Sequence, residues 1–296
     1  MFKHAYLLLI HEKSLVLKRL LQLLDYEYND IFIHIDKNSH TVDIDEIKSW
    51  VKKSKLTIIR KYKVFWGTNS ISLAEIELLK TAVKESNYLY YHFLSGSDLP
   101  IKTQKEIHDF FNVNKGKEFI HFGTEQYQND ISSRYTKYHF FTKQLGRKRD
   151  KKFWCDMEMY SQAIQRRLKI DRSKKVNYRF YGGSNWCSIT NEFARYITDN
   201  WKKYSKSFVF SQISDEMIWQ TMLMDTKFKN NLYLKDFEDN YKACVRHIDW
   251  KRGTPYVFRE CDIQELLESD NMFARKFDER VDKEVIEALY ERLSVS

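Results

Sequence analysis

Apolar residues over the first hundred positions fall into two alternating patterns. Short unbroken runs at Ala5 to Ile10, Ile31 to Ile35, Leu56 to Ile59 and Tyr88 to Leu94 read as buried strands. Between them, apolar positions recur at helical spacing over Ser14 to Leu24, Ile44 to Val51 and Ser72 to Val83. The last opens with Ser72 three residues ahead of Glu75, and a helix after the Pro100 turn opens with Thr103 ahead of Glu106, both at the spacing of a capping box. Strand and helix alternating in this way predict an α/β fold around a mainly parallel sheet.

Further along, the pattern predicts strands at Glu118 to Phe122, Tyr178 to Phe180, Trp186 to Ile189 and Leu232 to Leu234. Helices are predicted near Phe153 to Leu168, Asn191 to Tyr204, Asp262 to Leu267 and Lys283 to Leu293, and one begins at Ser214-Asp215-Glu216 with both carboxylates in its first turn. The polar, aromatic and basic stretch from Gly123 to Asn177 reads as an excursion over the sheet, so the whole chain, 1–296, is expected to form one domain.

Composition supports a folded chain. Aromatics make up 16% of 296 residues and only Pro100 and Pro255 interrupt it, so a core covering roughly 75% of the unfolded surface is available. No run approaches the ~20 apolar residues of a membrane helix, and Ala5 to Ile10 is too short for a signal segment, which predicts a soluble, cytoplasmic protein. Cys155, Cys187, Cys244 and Cys261 lack metal-ligand spacing and suit reduced thiols. The formal charge of +9 points to an anionic partner: a nucleotide sugar, nucleic acid or an anionic membrane face. Much of it lies in Arg147-Lys148-Arg149, Lys151-Lys152, Arg166-Arg167, Arg172 and Lys174-Lys175, either a solvated face or a docking patch for anionic lipid.

Candidate chemistry clusters where strands end, since open α/β sheets bind ligands at the carboxyl ends of their strands. Asp36 follows one buried strand and is placed to meet a ribose or uracil; His34 within that strand reads as a core histidine. Asp98 follows another and either meets a nucleotide or sugar or caps the turn before Pro100. Phe65 to Ser70 forms a third loop on the same rim or a simple helix entry. Glu216 either complements its helix dipole or serves as a general base toward a sugar hydroxyl, with Asp215 bracing the helix. Asp43-Ile44-Asp45 sits at a helix start and reads as capping, so no second carboxylate accompanies Asp98 to grip a metal ion. Lys276, with Lys251 or Arg252, is then the source of positive charge for a leaving diphosphate.

These residues carry a family resemblance. Ala5-Tyr6-Leu7-Leu8-Leu9-Ile10-His11, His34-Ile35-Asp36-Lys37-Asn38-Ser39, Ser95-Gly96-Ser97-Asp98-Leu99-Pro100-Ile101-Lys102-Thr103, Gly183-Ser184-Asn185-Trp186, Ser214-Asp215-Glu216-Met217-Ile218-Trp219 and Phe273-Ala274-Arg275-Lys276-Phe277-Asp278 occur in one order through most of the chain. Together they resemble glycosyltransferase family 14, the core-2/I-branching β1,6-N-acetylglucosaminyltransferases and peptide O-xylosyltransferases.

The resemblance implies a GT-A fold, a Rossmann-like mainly parallel sheet flanked by helices, with 1–122 as the nucleotide-binding half and 123–296 as the acceptor-binding and catalytic half. It implies an inverting transfer from a UDP-sugar (GlcNAc, Xyl, Glc or Gal) to a glycan, lipid-linked or protein-linked saccharide, with no metal required. By motif, Glu216 is similar to the catalytic base, Lys276 to a diphosphate contact, and Leu9 and Asp36 to the uridine site; the second basic contact falls at Lys251 or Arg252, with Arg252 preferred. Glu125, Arg134 and Lys137 lie in a stretch similar to the acceptor segment, and Trp186 either stacks on a sugar ring or belongs to the core. The animal enzymes' anchor, stem and lumenal cysteine pattern are missing, which suggests a bacterial relative, cytosolic or at the inner face of the membrane. Two other readings stay open: a retaining or Mn2+-dependent transferase with Asp98 on the ion, and a non-enzymatic basic module that binds polyanions.

Overall fold

The computed structural model describes residues 2–294. Its first half runs β1 (His4–Ile10), α1 (Leu15–Leu24), β2 (Asn29–Ile35), α2 (Ile44–Ser49), β3 (Lys55–Ile59), α3 (Ser70–Glu85) and β4 (Tyr90–Ser95). These pair in the order β3-β2-β1-β4, all parallel, and β1 and β2 are buried almost throughout, as their unbroken apolar runs require. The chain therefore steps outward from β1 on one side and then returns to its other side with β4. That reversal opens a crevice between the carboxyl ends of β1 and β4.

The second half extends the sheet and adds a smaller one. It runs β5 (Asp98–Pro100), α4 (Gln104–Val113), β6 (Phe119–Ile120), α5 (Glu125–Asp130), α6 (Ser132–Thr136), α7 (Thr142–Leu145), α8 (Lys152–Arg167), β7 (Cys187–Thr190), α9 (Asn191–Phe208), α10 (Ile218–Met224), β8 (Arg246–Ile248), α11 (Ile263–Glu268), β9 (Phe273–Arg275) and α12 (Glu284–Ser294). β7 joins β4 antiparallel and β6 joins β7, completing six mostly parallel strands flanked by helices, the GT-A-like architecture expected. One apolar core under α1, α4 and α12 covers one face, and a second under α3, α9 and α10 covers the other.

Two capping predictions hold: Asp43 caps α2, and Thr103 and Glu106 cap each other around the start of α4. Other local predictions do not. Ser14, expected as the first helical residue, is instead the cap of α1, its Oγ accepting from Leu17 N at 3.0 Å. α3 begins at Ser70, so Ser72 and Glu75 are buried inside the helix and form no capping box; Ser72 Oγ instead meets Ser214 Oγ at 2.7 Å. Tyr178 to Phe180 is no strand: Tyr178 packs its ring on Tyr204 and Phe180 on Tyr135, with no neighbouring strand to pair with. Leu232 makes only an isolated bridge to Glu118.

The small sheet, in order β5-β9-β8, is not legible as strands in the sequence. Arg246 fastens it to the large sheet. Its buried guanidinium donates to the carbonyls of Cys244 at 2.6 Å, Phe93 at 3.2 Å and Cys187 at 3.2 Å, and lies over the Phe273 ring. Replacing Arg246 with methionine keeps the apolar stem but strands those carbonyls, so unfolding free energy should fall by about 2 kcal/mol in a denaturant titration. An unchanged midpoint would show that the guanidinium contributes nothing net.

Candidate functional site

At the crevice between β1 and β4 lies a cleft of about 660 Å³. It adjoins a second hollow of about 620 Å³, and Leu9, Ile10, His11, Ser95, Arg147 and Arg275 line both. The larger part holds Asp36, Trp186, Asp215 and Glu216, and the smaller holds Lys276. The smaller hollow also carries Lys13 and Arg280 together with Glu12, Asp278 and Glu279, so Glu216 and Lys276 lie in adjoining parts of one groove of mixed charge.

Glu216 is placed by a tight turn, not by a helix's first turn as the periodicity predicts. Ser214–Glu216 is a 3-10 turn, and Met217 departs from helical geometry before α10 begins at Ile218. Ile213 enters that turn at φ 51°, a left-handed conformation that costs a β-branched residue on the order of 1–3 kcal/mol. Its N–H donates to the Gly67 carbonyl at 2.7 Å, and the Ser72–Ser214 bond ties the turn to α3. On the other side, Gly183 N donates to the Glu216 carbonyl at 2.9 Å. A Cβ on Gly183 would lie 2.0 Å from the His121 carbonyl oxygen, so only glycine allows this approach.

The Glu216 side chain is held by one oxygen. Arg134 donates to Oε2 at 2.8 Å and the Tyr127 hydroxyl at 3.1 Å, while among the described residues none donates to Oε1. Burial, followed by the charge of Glu216, pushes the Tyr127 phenol up, so it stays a donor. The free oxygen is positioned to accept a proton from a bound hydroxyl.

Behind it lies a carboxyl pair that the sequence does not announce. Glu75 and Asp215 are both buried and both line the cleft. Each has a buried oxygen without a partner, and Asn185 reaches only the other oxygen of Glu75, at 3.4 Å. Burial first, and the charge of Asp215 second, drive Glu75 well above the carboxylate range; burial and then the charge of Glu216 raise Asp215 to about 7. A carboxyl raised on folding stabilises the native state fully below its unfolded pKa of about 4, and that contribution is lost as pH climbs through 7. The Tm of the wild type should therefore fall from pH 5 to 8 relative to Asp215→Asn, which cannot ionise and should be more stable by a few degrees at pH 8. Parallel Tm profiles for the two proteins would remove the assignment.

The smaller hollow has more cations than carboxylates. Lys276 is half-buried, and burial, then Arg275, then Arg147 depress its ammonium pKa. Arg275 donates to Asp98 Oδ1 at 2.6 Å and Ser95 Oγ at 2.7 Å, and its guanidinium lies 4.0 Å from the centre of the Trp186 ring. Asp98 also accepts from Ser95 N at 2.6 Å and is buried beneath Arg275. It therefore aims Arg275 and does not line the cleft. Among the described residues no group of three or more His, Cys, Asp or Glu side chains is arranged to hold a metal ion.

The remaining predicted residues divide. Leu9 and Asp36 line the cleft; Asp36 Oδ1 accepts from Asn38 N at 2.9 Å and Val64 N at 3.0 Å, which fixes the loop carrying Trp66 on the rim. His34 is a core residue, accepting from Tyr62 N at 3.1 Å. Arg134 belongs to the site as the partner of Glu216, and Trp186 as the platform under Arg275. Glu125 is exposed on α5 and is not among the lining residues; Lys137 is bound to the Ile170 carbonyl. Arg252 is not among the lining residues, although Trp250, Thr254 and Pro255 near it are; it contacts Asp249, Asp262 and Glu265, and Lys251 is exposed beside it. Three nearby carboxylates hold that guanidinium in place. Among the cations that do line the groove is Arg275, inside the same six-residue string as Lys276.

A sequence model described as Core-2/I-Branching enzyme matches residues 4–268. Xylosyltransferase 2 of Homo sapiens is 26% identical over 308 residues, covering 96% of this chain and 33% of that protein. Xylosyltransferase sqv-6 of Caenorhabditis briggsae is 24% identical, with 92% and 34% covered, and Xylosyltransferase oxt of Drosophila pseudoobscura pseudoobscura is 24% identical, with 98% and 33% covered. The chain spans about a third of the length of these relatives.

Proposed function

The chain belongs to the Core-2/I-Branching enzyme family, and from that premise we propose that it is an inverting glycosyltransferase using a UDP-sugar. Glu216 Oε1 takes the proton of an acceptor hydroxyl as that oxygen bonds to the anomeric carbon. The bond from the anomeric carbon to the β-phosphate oxygen breaks, and its electron pair leaves with UDP. Lys276 and Arg275, with Arg147 beside them, meet the charge that develops there. Asp36 and Leu9 take the uridine end.

A single observation supports this reading best: a carboxylate oxygen of Glu216 and the cations Arg147, Arg275 and Lys276 line one groove at the carboxyl ends of β1 and β4. The donor is GlcNAc, Xyl, Glc or Gal on UDP, with xylose the first to try because the relatives are named xylosyltransferases. Mass spectrometry after incubation with each UDP-sugar and a panel of glycan, glycolipid and glycopeptide acceptors should show one added sugar; hydrolysis alone across the panel would refute the reading. Because side-chain cations take the place of a divalent ion, turnover should persist in EDTA. Strict dependence on manganese would overturn the role given to Lys276.

A further inference from the structure

Helix α8 is packed inside out. Apart from Trp154, which packs on Phe141, its inward contacts are made by polar residues: Glu158 Oε1 lies 2.8 Å from His139 Nδ1, Gln162 donates to the Tyr138 carbonyl at 3.0 Å, and Gln165 both accepts from Tyr138 N and donates to its carbonyl at 2.8 Å. Its outward residues are apolar. Phe153, Met157, Tyr160, Ile164 and Leu168 follow at steps of four, three, four and four residues, so they form one continuous stripe. They are 64, 36, 66, 59 and 66% exposed. A helix on a water-facing surface normally turns the other way, and a contiguous apolar stripe marks a docking surface.

Charge selects the occupant. Exposed Arg147, Lys148, Arg149, Lys151 and Lys152 precede the stripe, and exposed Arg166, Arg167 and Lys169 surround its end. Over residues 147–169 the one exposed acid is Asp150. Two copies of this face would bring cations against cations, whereas a layer of phosphates would neutralise them. Among the described residues no helix is long and apolar enough to cross a membrane, so the contact is peripheral.

We propose that α8 seats the protein on an anionic bilayer, the stripe lying among the upper acyl segments and the flanking Lys and Arg side chains on headgroup phosphates. Arg147 lines the cleft five residues before α8 begins, so this seating brings the lip of the groove to the lipid surface.

Sedimentation with phosphatidylcholine vesicles, with and without phosphatidylglycerol, tests the proposal on the full chain and needs no donor or acceptor, so its result is separate from that of the transferase assays. Anionic vesicles should bind at least about tenfold more tightly than neutral ones, with the difference shrinking in high salt. The triple change Tyr160→Ser, Ile164→Ser, Leu168→Ser should weaken binding about tenfold or more while leaving Tm unchanged, because all three side chains point outward. Arg166→Glu with Arg167→Glu should abolish the preference for anionic vesicles. Binding unaffected by the triple change would overturn the proposal. So would a wild type that ignores vesicles, whether it remains a monomer or forms a dimer that the triple change dissolves.

Discussion

Replacing Glu216 with glutamine is expected to lower kcat about a thousandfold, within the range that a positioned general base contributes. Glutamine keeps the length and shape of the side chain, and its amide oxygen can still accept from Tyr127 and Arg134, both of which now donate to one carboxylate oxygen. What it loses is basicity at the other oxygen. Because that basicity is used only as the acceptor hydroxyl attacks, kcat and kcat/KM should fall together while the donor KM stays near its original value. Asp215→Asn supplies the contrast. Asp215 is the adjacent carboxylate, but it is buried and burial favours its protonated form, so its loss should cost far less activity than that of Glu216. Full activity in Glu216→Gln on a natural acceptor would show that another group takes the proton.

That contrast also marks where the amino-acid sequence stops being informative. The four parallel strands follow from runs such as Ile31 to Ile35, because a strand covered on both faces is apolar at nearly every position, with His34 the one interruption here. Glu216 and Lys276 stand out as charged residues inside short motifs. Glu75 does not, since three residues after a serine its carboxylate mimics a cap, and only the tertiary fold shows that α3 starts two residues earlier and buries it. The sequence points to Arg252 in place of Arg275 for a related reason. Sequence gives the number of cations, while their availability depends on which carboxylates reach them: Asp98 orients Arg275 into the groove, and Asp249, Asp262 and Glu265 hold Arg252 out of it. Strands as short as β8 and β9 leave no periodicity to read, so the small sheet that presents Arg275 and Lys276 appears only in the structure.

Lys276→Met should reduce kcat/KM between about a hundredfold and a thousandfold, the loss seen when one preorganised donor to a developing negative charge is removed. Arg275 is the poorer probe, because deleting it leaves Asp98 buried without its ion-pair partner and endangers the fold. Among the described residues no carboxylate forms an ion pair with Lys276 that its loss would strand, and methionine preserves most of its stem, so Tm should change little and UDP affinity should fall along with turnover. The lysine carries a second signature. Burial and the neighbouring Arg275 and Arg147 depress its pKa, so its positive charge is present at low pH and lost as pH rises, earlier than for an ordinary lysine. The pH profile of kcat/KM should accordingly bend downward on the alkaline side below the usual lysine range. Lys276→Arg, which stays charged throughout, should keep much of the activity and lose that bend. An alkaline limb identical in wild type and Lys276→Arg would assign the titration to another group, and a Lys276→Met protein with undiminished kcat/KM would mean that the leaving diphosphate is neutralised elsewhere.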